Sequence, residues 1–241
     1  MIDGSLTIIV SDSLVKLSPP GDRRELLARA AGLAGLRVDE VASRLGIVLP
    51  DDPRRTKGAV GELVEAALGA SAGNRDLPDF PELGVELKTI PLDAVGRVSE
   101  STFVCSIDLD AAGDEIWEES RVWRKLRRVL WVPVEAAGAT PLGQRRLGRA
   151  IYWEPSEGEA RRLEADWTFL IGQIAIGGVE ELDASLGEVL QVRPKAPNAA
   201  ARTSAPGPDG GAIWTGPRGF YLRARFTEAV LWGLTEAEAE D

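Results

Sequence analysis

Asp79 follows Leu77-Pro78, and after a gap of six residues the run Glu86-Leu87-Lys88 begins. In an extended strand, side chains alternate, so Glu86 and Lys88 leave one face while Val85, Leu87 and Thr89 leave the other. Pro78 stiffens the loop that presents Asp79. Two converging carboxylates make a hard oxygen site suited to magnesium, which keeps several waters and binds phosphate oxygens. A metal held there can lower the pKa of a bound water and offset charge on a phosphate. A neighbouring lysine can orient the attacking water and stabilise the developing anion. The alternative is a turn aspartate beside a strand-edge Glu/Lys pair, because short motifs also match by chance.

Lysine usage favours the chemical reading. Of 28 basic residues only five are lysines (Lys16, Lys57, Lys88, Lys125 and Lys195), which leaves 23 arginines. Arginine serves most generic cation roles in this chain. A compact lysine in the Glu-x-Lys position, a pattern that occurs once, points to lysine-specific chemistry.

The elements that must position these residues follow from periodicity. Helices are expected over 21–35, 38–45 and 57–68, each with apolar residues at helical spacing. In the third, Val60, Leu63, Val64, Ala67 and Leu68 form the apolar stripe, Glu65 borders it and Glu62 faces away. GASAGNRDLPDFPELG reads as a loop, and GVELKTIPL as a strand. Further strands are expected in STFVCSI, RVLWVPVE, RRLGRAIYWEP, LGEVLQVRPK and GFYLRARF, with a helix near 118–126. Ser156 and Glu159 form a capping box that opens a long helix to Ile176. PNAAARTSAPGPDGGA reads as a loop. The order predicts an α/β fold with helices flanking one central mixed sheet, in a single domain over 1–241. Residues 1–20 read as an N-terminal extension and 227–241 as an acidic C-terminal end.

Composition removes several chemistries. The chain has no histidine, which excludes Ser-His-Asp and Cys-His catalysis and His-ligated zinc. Its one cysteine, Cys105, allows neither an intrachain disulfide nor a Cys cluster. Cys105 and Trp117, Trp123, Trp131, Trp153 and Trp167 read as core. No apolar run is long enough to span a bilayer, and the start lacks signal-peptide character, so a cytoplasmic location is expected.

The net charge of -10 argues at first against a nucleic-acid partner. The distribution argues for one. Between Arg121 and Arg149 stand eight basic residues and one acid, and between Arg193 and Arg225 six basic residues and one acid. Segregation of this kind can build a positive groove on a negative body, the alternative being two solvated helix faces.

Several blocks, in order, resemble the MutH family of mismatch-repair endonucleases: GASAGNRDLPDFPELGVELKTIPLD, ESTFVCSI, VWRKLRRVLWVPVE, PLGQRRLG, LQVRPKAPNA and PRGFYL. The likeness runs from about Gly21 to Phe226. It implies a restriction-endonuclease-like PD-(D/E)xK fold with two lobes around a DNA cleft. It also implies Mg2+-dependent nicking of the unmethylated strand at hemimethylated GATC sites, activated by MutL and indirectly by MutS, in a monomer. By matching motif it implies Asp79, Glu86 and Lys88 as the catalytic core. The resemblance likewise implies Glu65 as the additional acid near the metal and Lys125 as the supporting lysine, with Asp79, Glu86 and Glu65 as the metal set. Lys57 matches a lysine at the DNA cleft. Arg193, Pro194 and Lys195 match the loop that reads GATC, and Tyr221 the residue near the adenine methyl position. Arginine can pair bidentately with guanine O6 and N7 in the major groove. Two other readings share these residues: a GATC-specific restriction enzyme acting without MutL, and a DNA-binding module that has lost catalysis. The C-terminal TEAVLWGLTEAEAED departs from the family pattern.

Overall fold

The computed structural model describes residues 17–50, 58–73, 75–136, 140–196, 198 and 200–234. In chain order the elements are α1 (Arg23–Ala31), α2 (Val38–Leu45), α3 (Ala59–Leu68), β1 (Glu86–Leu92), β2 (Thr102–Ser106), α4 (Arg121–Leu126), β3 (Val129–Glu135), β4 (Ile151–Trp153), α5 (Glu157–Ala175), β5 (Leu190–Pro194), β6 (Thr203–Pro206), β7 (Ala212–Thr215), β8 (Arg218–Leu222) and α6 (Ala224–Trp232). The chain divides into two compact units, Met1–Arg97 with Leu130–Tyr152, and Val98–Val129 with Trp153–Asp241.

The first unit is built on the sheet β1-β3-β4 and helices α1 to α3. The central strand β3 is buried from Val129 to Val134, which is why VLWVPV shows no polar alternation. Asp22 caps α1, its side chain accepting the Glu25 N–H at 2.8 Å. α3 buries Leu63, Val64, Ala67 and Leu68 in a core shared with Leu26, Val41, Phe80, Val85, Leu87 and Leu130. Each larger side chain of that stripe contributes about 1.5–3 kcal/mol on leaving water, so the stripe fixes which way α3 faces. Glu65, at its border, is thereby held half-buried, while Glu62 is exposed.

The second unit is built on the antiparallel sheet β2-β8-β5. Its core includes Phe220, Leu222, Leu190, Val104, Leu163, Leu170 and Ile174. α5 opens with the expected capping box: Ser156 accepts the Glu159 N–H and Glu159 accepts the Ser156 N–H. From the middle of α5, the Asp166 carboxylate accepts the N–H groups of Glu188, Val189 and Leu190 at 2.7–2.9 Å. That triple contact fixes where β5 begins, and so the register of Arg193 to Lys195.

Three expectations are corrected. Among the described residues there is no single central sheet but two three-stranded sheets and a hairpin. Periodicity locates strands and says nothing of which ones pair. Of the stretch 197–212, read as a loop, residues 203–212 belong to the β6-β7 hairpin, which turns at Pro208-Asp209-Gly210-Gly211 and runs on to Thr215. The helix near 118–126 is broken at Ser120 into a 3-10 turn and α4, with Ser120 capping α4 through the Trp123 N–H. Cys105, Trp117, Trp131, Trp153 and Trp167 are buried as expected, whereas Trp123 is only partly so. No described helix is long and apolar enough to cross a membrane.

Candidate active site

The six-residue gap between Asp79 and Glu86 has a structural cause. Phe80 and Val85 form a two-way bridge, Phe80 N–H to Val85 O at 2.9 Å and Val85 N–H to Phe80 O at 3.3 Å. Both side chains are buried, at 2% and 1% exposure, and anchor the ends of the intervening turn. Gly84 completes the turn at φ 62°, in the left-handed region that favours glycine. The turn sets Asp79 beside the start of β1, where its Oδ2 accepts the Leu87 N–H at 2.8 Å. The Asp79 carbonyl also accepts the N–H groups of Ser71 and Ala72. Both halves of the motif are thus tied together by the backbone, and the aspartate is held from two sides.

On β1, Glu86 and Lys88 share a face as alternation requires. Lys88 Nζ donates to Glu86 Oε1 at 2.7 Å, with the glutamate side chain 3% and the lysine side chain 16% exposed. A buried carboxylate is costly unless paired, and this ammonium compensates it. Glu65 reaches the same group from α3. Burial pushes its carboxyl up to about 7, and the Asp79, Glu62 and Glu86 carboxylates add to the rise while Lys88 opposes it. Glu65, Asp79, Glu86 and Lys88 therefore form one electrostatically coupled cluster in the first unit. The fifth expected catalytic residue, Lys125, stands on α4 in the second unit, partly buried.

Among the described residues no three acidic or thiol side chains are gathered tightly enough to cage a metal ion as they stand. Magnesium does not need such a cage. It is commonly held by one or two carboxylates, several waters and substrate phosphate oxygens. The donor set is all oxygen, and its mutual repulsion is the condition a divalent cation relieves.

The second unit gathers the other expected residues. Arg193, Pro194 and Lys195 run off the end of β5, exposed. Tyr221 on β8 lies opposite Gln191 on one side and Phe103 on the other. The Arg193 guanidinium carbon is 5.8 Å from the Tyr221 ring centre. That ring meets Phe103 edge-on at 5.3 Å, and Lys195 Nζ lies 4.3 Å from the Phe103 ring centre. The result is a row of cation, ring, ring and cation, in which cation–π attraction and aromatic packing restrain two long basic side chains. Gly219 permits it: a Cβ there would sit 2.9 Å from the Phe103 ring and 3.1 Å from the Cys105 carbonyl oxygen. Burial raises the Tyr221 phenol above its usual value against the opposing charge of Arg193, so it is neutral near pH 7.

Nothing in the sequence singles out Phe103. It sits in STFVCSI with no feature beyond strand alternation, and only the pairing of β2 with β8 gives it a place. Lys57 lies outside the described residues, as do 1–16 of the N-terminal extension and 235–241 of the acidic end. A cavity of about 430 Å3 between α5, the segment leading into β5 and α6, lined by Glu159, Arg162, Glu188 and Phe226 among others, includes none of the expected site residues.

Comparison with known proteins bears on what this arrangement is. The family profile described as "MutH: DNA mismatch repair enzyme MutH" matches residues 68–166, which span Asp79, Glu86, Lys88 and Lys125. The DNA mismatch repair protein MutH of Escherichia coli strain K12 is 50% identical over 215 residues, 89% of this chain and 94% of that protein. The protein of the same name from Escherichia coli O9:H4 strain HS is similar to the same extent. With half of its residues identical over nearly its whole length, the chain belongs to the MutH family of DNA mismatch repair enzymes.

Proposed function

We propose that this protein is a magnesium-dependent DNA endonuclease of methyl-directed mismatch repair. It nicks the unmethylated strand at hemimethylated GATC sites when activated by MutL, with MutS acting upstream, and it works as a cytoplasmic monomer. The observation that carries the reading is the coupled cluster of Glu65, Asp79, Glu86 and Lys88, built by a turn whose length accounts for the motif spacing.

In this reading Asp79, Glu86 and Glu65 hold the metal. When bound, it supplies an activated water and offsets charge on the phosphate. Lys88, fixed beside Glu86, orients the water and stabilises the negative charge that grows on the phosphoryl oxygens. Lys125 gives additional positive charge in support. No covalent nucleophile is needed, in keeping with a chain that has no histidine. Arg193 reads guanine from the exposed end of β5, and Pro194 and Lys195 shape and charge that loop. Tyr221 presents a rigid neutral ring where an adenine N6-methyl group projects into the major groove. Lys57 contributes a phosphate contact.

The test is a nicking assay with magnesium on unmethylated, hemimethylated and fully methylated GATC duplexes, with and without MutL. Strand-specific nicks at the hemimethylated site, stimulated by MutL and absent from the fully methylated one, are expected. Double-strand cutting that MutL does not change would indicate a restriction enzyme, and no cleavage under any condition a DNA-binding module.

A further inference from the structure

An exposed arginine that must read a base loses side-chain freedom when it docks, which weakens both affinity and discrimination. Arg193 is exposed, yet two contacts already restrain it. Its Nη1 donates to the Ser101 hydroxyl at 2.5 Å, and its guanidinium lies over the Tyr221 ring. The contacts come from different strands: Tyr221 from β8, and Ser101 from the residue just before β2. A guanidinium has five N–H donors in a fixed fork, and the serine takes one. The edge formed by Nε and Nη2, which can pair bidentately with a guanine, is not the one engaged by the serine.

Ser101 is itself well supported. Thr102, its neighbour, pairs in register with Leu222, and its Oγ1 is 3.1 Å from Oγ1 of Thr227, which is fully buried. Phe103, two residues on, packs against Tyr221. The hydroxyl is therefore presented from a fixed backbone, immediately ahead of the strand that carries the ring behind Tyr221. A short polar side chain so mounted selects one orientation of a long, flexible one.

We propose that Ser101 is a positioning residue for Arg193, holding its guanidinium over Tyr221 so that its free edge meets the target base in one orientation. This rests on the reading of Arg193 as the base reader, and it assigns Ser101 no contact with DNA.

The experiment compares wild type, Ser101→Ala, Ser101→Thr, Arg193→Ala and the Ser101→Ala/Arg193→Ala double variant. The full-length proteins compete for a GATC duplex against duplexes with the guanine replaced, and nicking is measured on the same set. Ser101→Ala should lower the preference for GATC roughly tenfold, the scale of one hydrogen bond to a charged group. Ser101→Thr, which keeps the hydroxyl, should restore preference to within about threefold of wild type, on the same hydrogen-bond scale. In the Arg193→Ala background the serine change should have no further effect. Wild-type preference in Ser101→Ala, together with lost preference in Arg193→Ala, would overturn the role of Ser101 and leave Arg193 as the reader. Wild-type preference in Arg193→Ala would overturn the reader assignment itself. Equal losses in the threonine and alanine variants, or an undiminished serine effect in the double variant, would show general damage to β2 and refute positioning.

Discussion

Replacing Glu65 by glutamine should stabilise the metal-free protein at neutral and alkaline pH. Burial, with the nearby Asp79, Glu62 and Glu86 carboxylates, raises the Glu65 carboxyl from 4.5 to about 7, Lys88 opposing. A carboxyl whose pKa is higher in the fold than in the unfolded chain holds its proton more tightly when folded. Below 4.5 both states are protonated, and the protein keeps its full stability with respect to this group. Between 4.5 and about 7 the unfolded chain releases its proton first, so stability falls as pH rises. Above about 7 both states are ionised and the penalty is complete. At ~1.4 kcal/mol per pH unit the displacement corresponds to ~3 kcal/mol, and solvent screening of a half-buried side chain reduces this to roughly 1–2 kcal/mol. Urea unfolding of wild type and Glu65→Gln in EDTA, at pH 5 and pH 8, measures it. The variant's advantage should grow by about 1–2 kcal/mol between the two. Adding magnesium at pH 8 should favour wild type more than the variant, because the cation relieves the repulsion that glutamine has already removed. A difference between the proteins that does not change with pH would refute the reasoning that these carboxylates crowd one another.

The same cluster constrains how other variants are read. Lys88→Ala should abolish nicking but also lower stability, because Glu86, 3% exposed, loses its ammonium. Breaking a buried pair costs ~3–5 kcal/mol, and Glu86→Gln added to Lys88→Ala should recover part of it in urea melts. Arg193→Ala should lower discrimination between GATC and its single-base variants by ~1–3 kcal/mol, the value of a bidentate base contact, in competitive cleavage. Tyr221→Ala should disturb the choice between hemimethylated and fully methylated duplexes more than Tyr221→Phe, which keeps the ring between Arg193 and Phe103. Lys125→Ala should slow nicking to a similar degree at every site, since a cation away from the base edges carries no sequence information.

That Asp79, Glu86 and Lys88 come together is legible in the sequence because the geometry is local. Alternation puts Glu86 and Lys88 on one face, and a short turn brings Asp79 alongside. The only sequence signal for the Phe80/Val85 bridge that closes the turn is hairpin-like, two apolar residues flanking Pro-Glu-Leu-Gly. Periodicity puts Glu65 at the border of an apolar stripe, but its approach to Asp79 depends on how α3 packs on β1, which periodicity does not contain. The same limit explains the sheet. β2 and β8 pair across more than a hundred residues of sequence, so neither the two separate sheets nor Phe103 and Ser101 beside Arg193 could be read from spacing. The β6-β7 hairpin was hidden by its composition. Its strands are four residues long and rich in small side chains, and the turn signal Pro-Asp-Gly-Gly was absorbed into an apparent loop.

The central claim is that the carboxylates on the Asp79 turn and β1 would hold the metal on which hydrolysis of the phosphodiester bond depends. Asp79→Asn tests it most directly, because the amide oxygen can still accept the Leu87 N–H and so keep the turn, while the charge is lost. The measurement is nicking of an end-labelled hemimethylated GATC duplex by wild type and Asp79→Asn, in magnesium and in EDTA, with urea melts and duplex affinity recorded alongside. The account predicts that the variant matches wild type in stability to within about 1 kcal/mol and still binds the duplex, yet nicks at least a hundredfold more slowly, on the order of what one lost catalytic group costs. It also predicts that wild type is silent in EDTA. Nicking by Asp79→Asn at the wild-type rate, or nicking by wild type in EDTA, would contradict it.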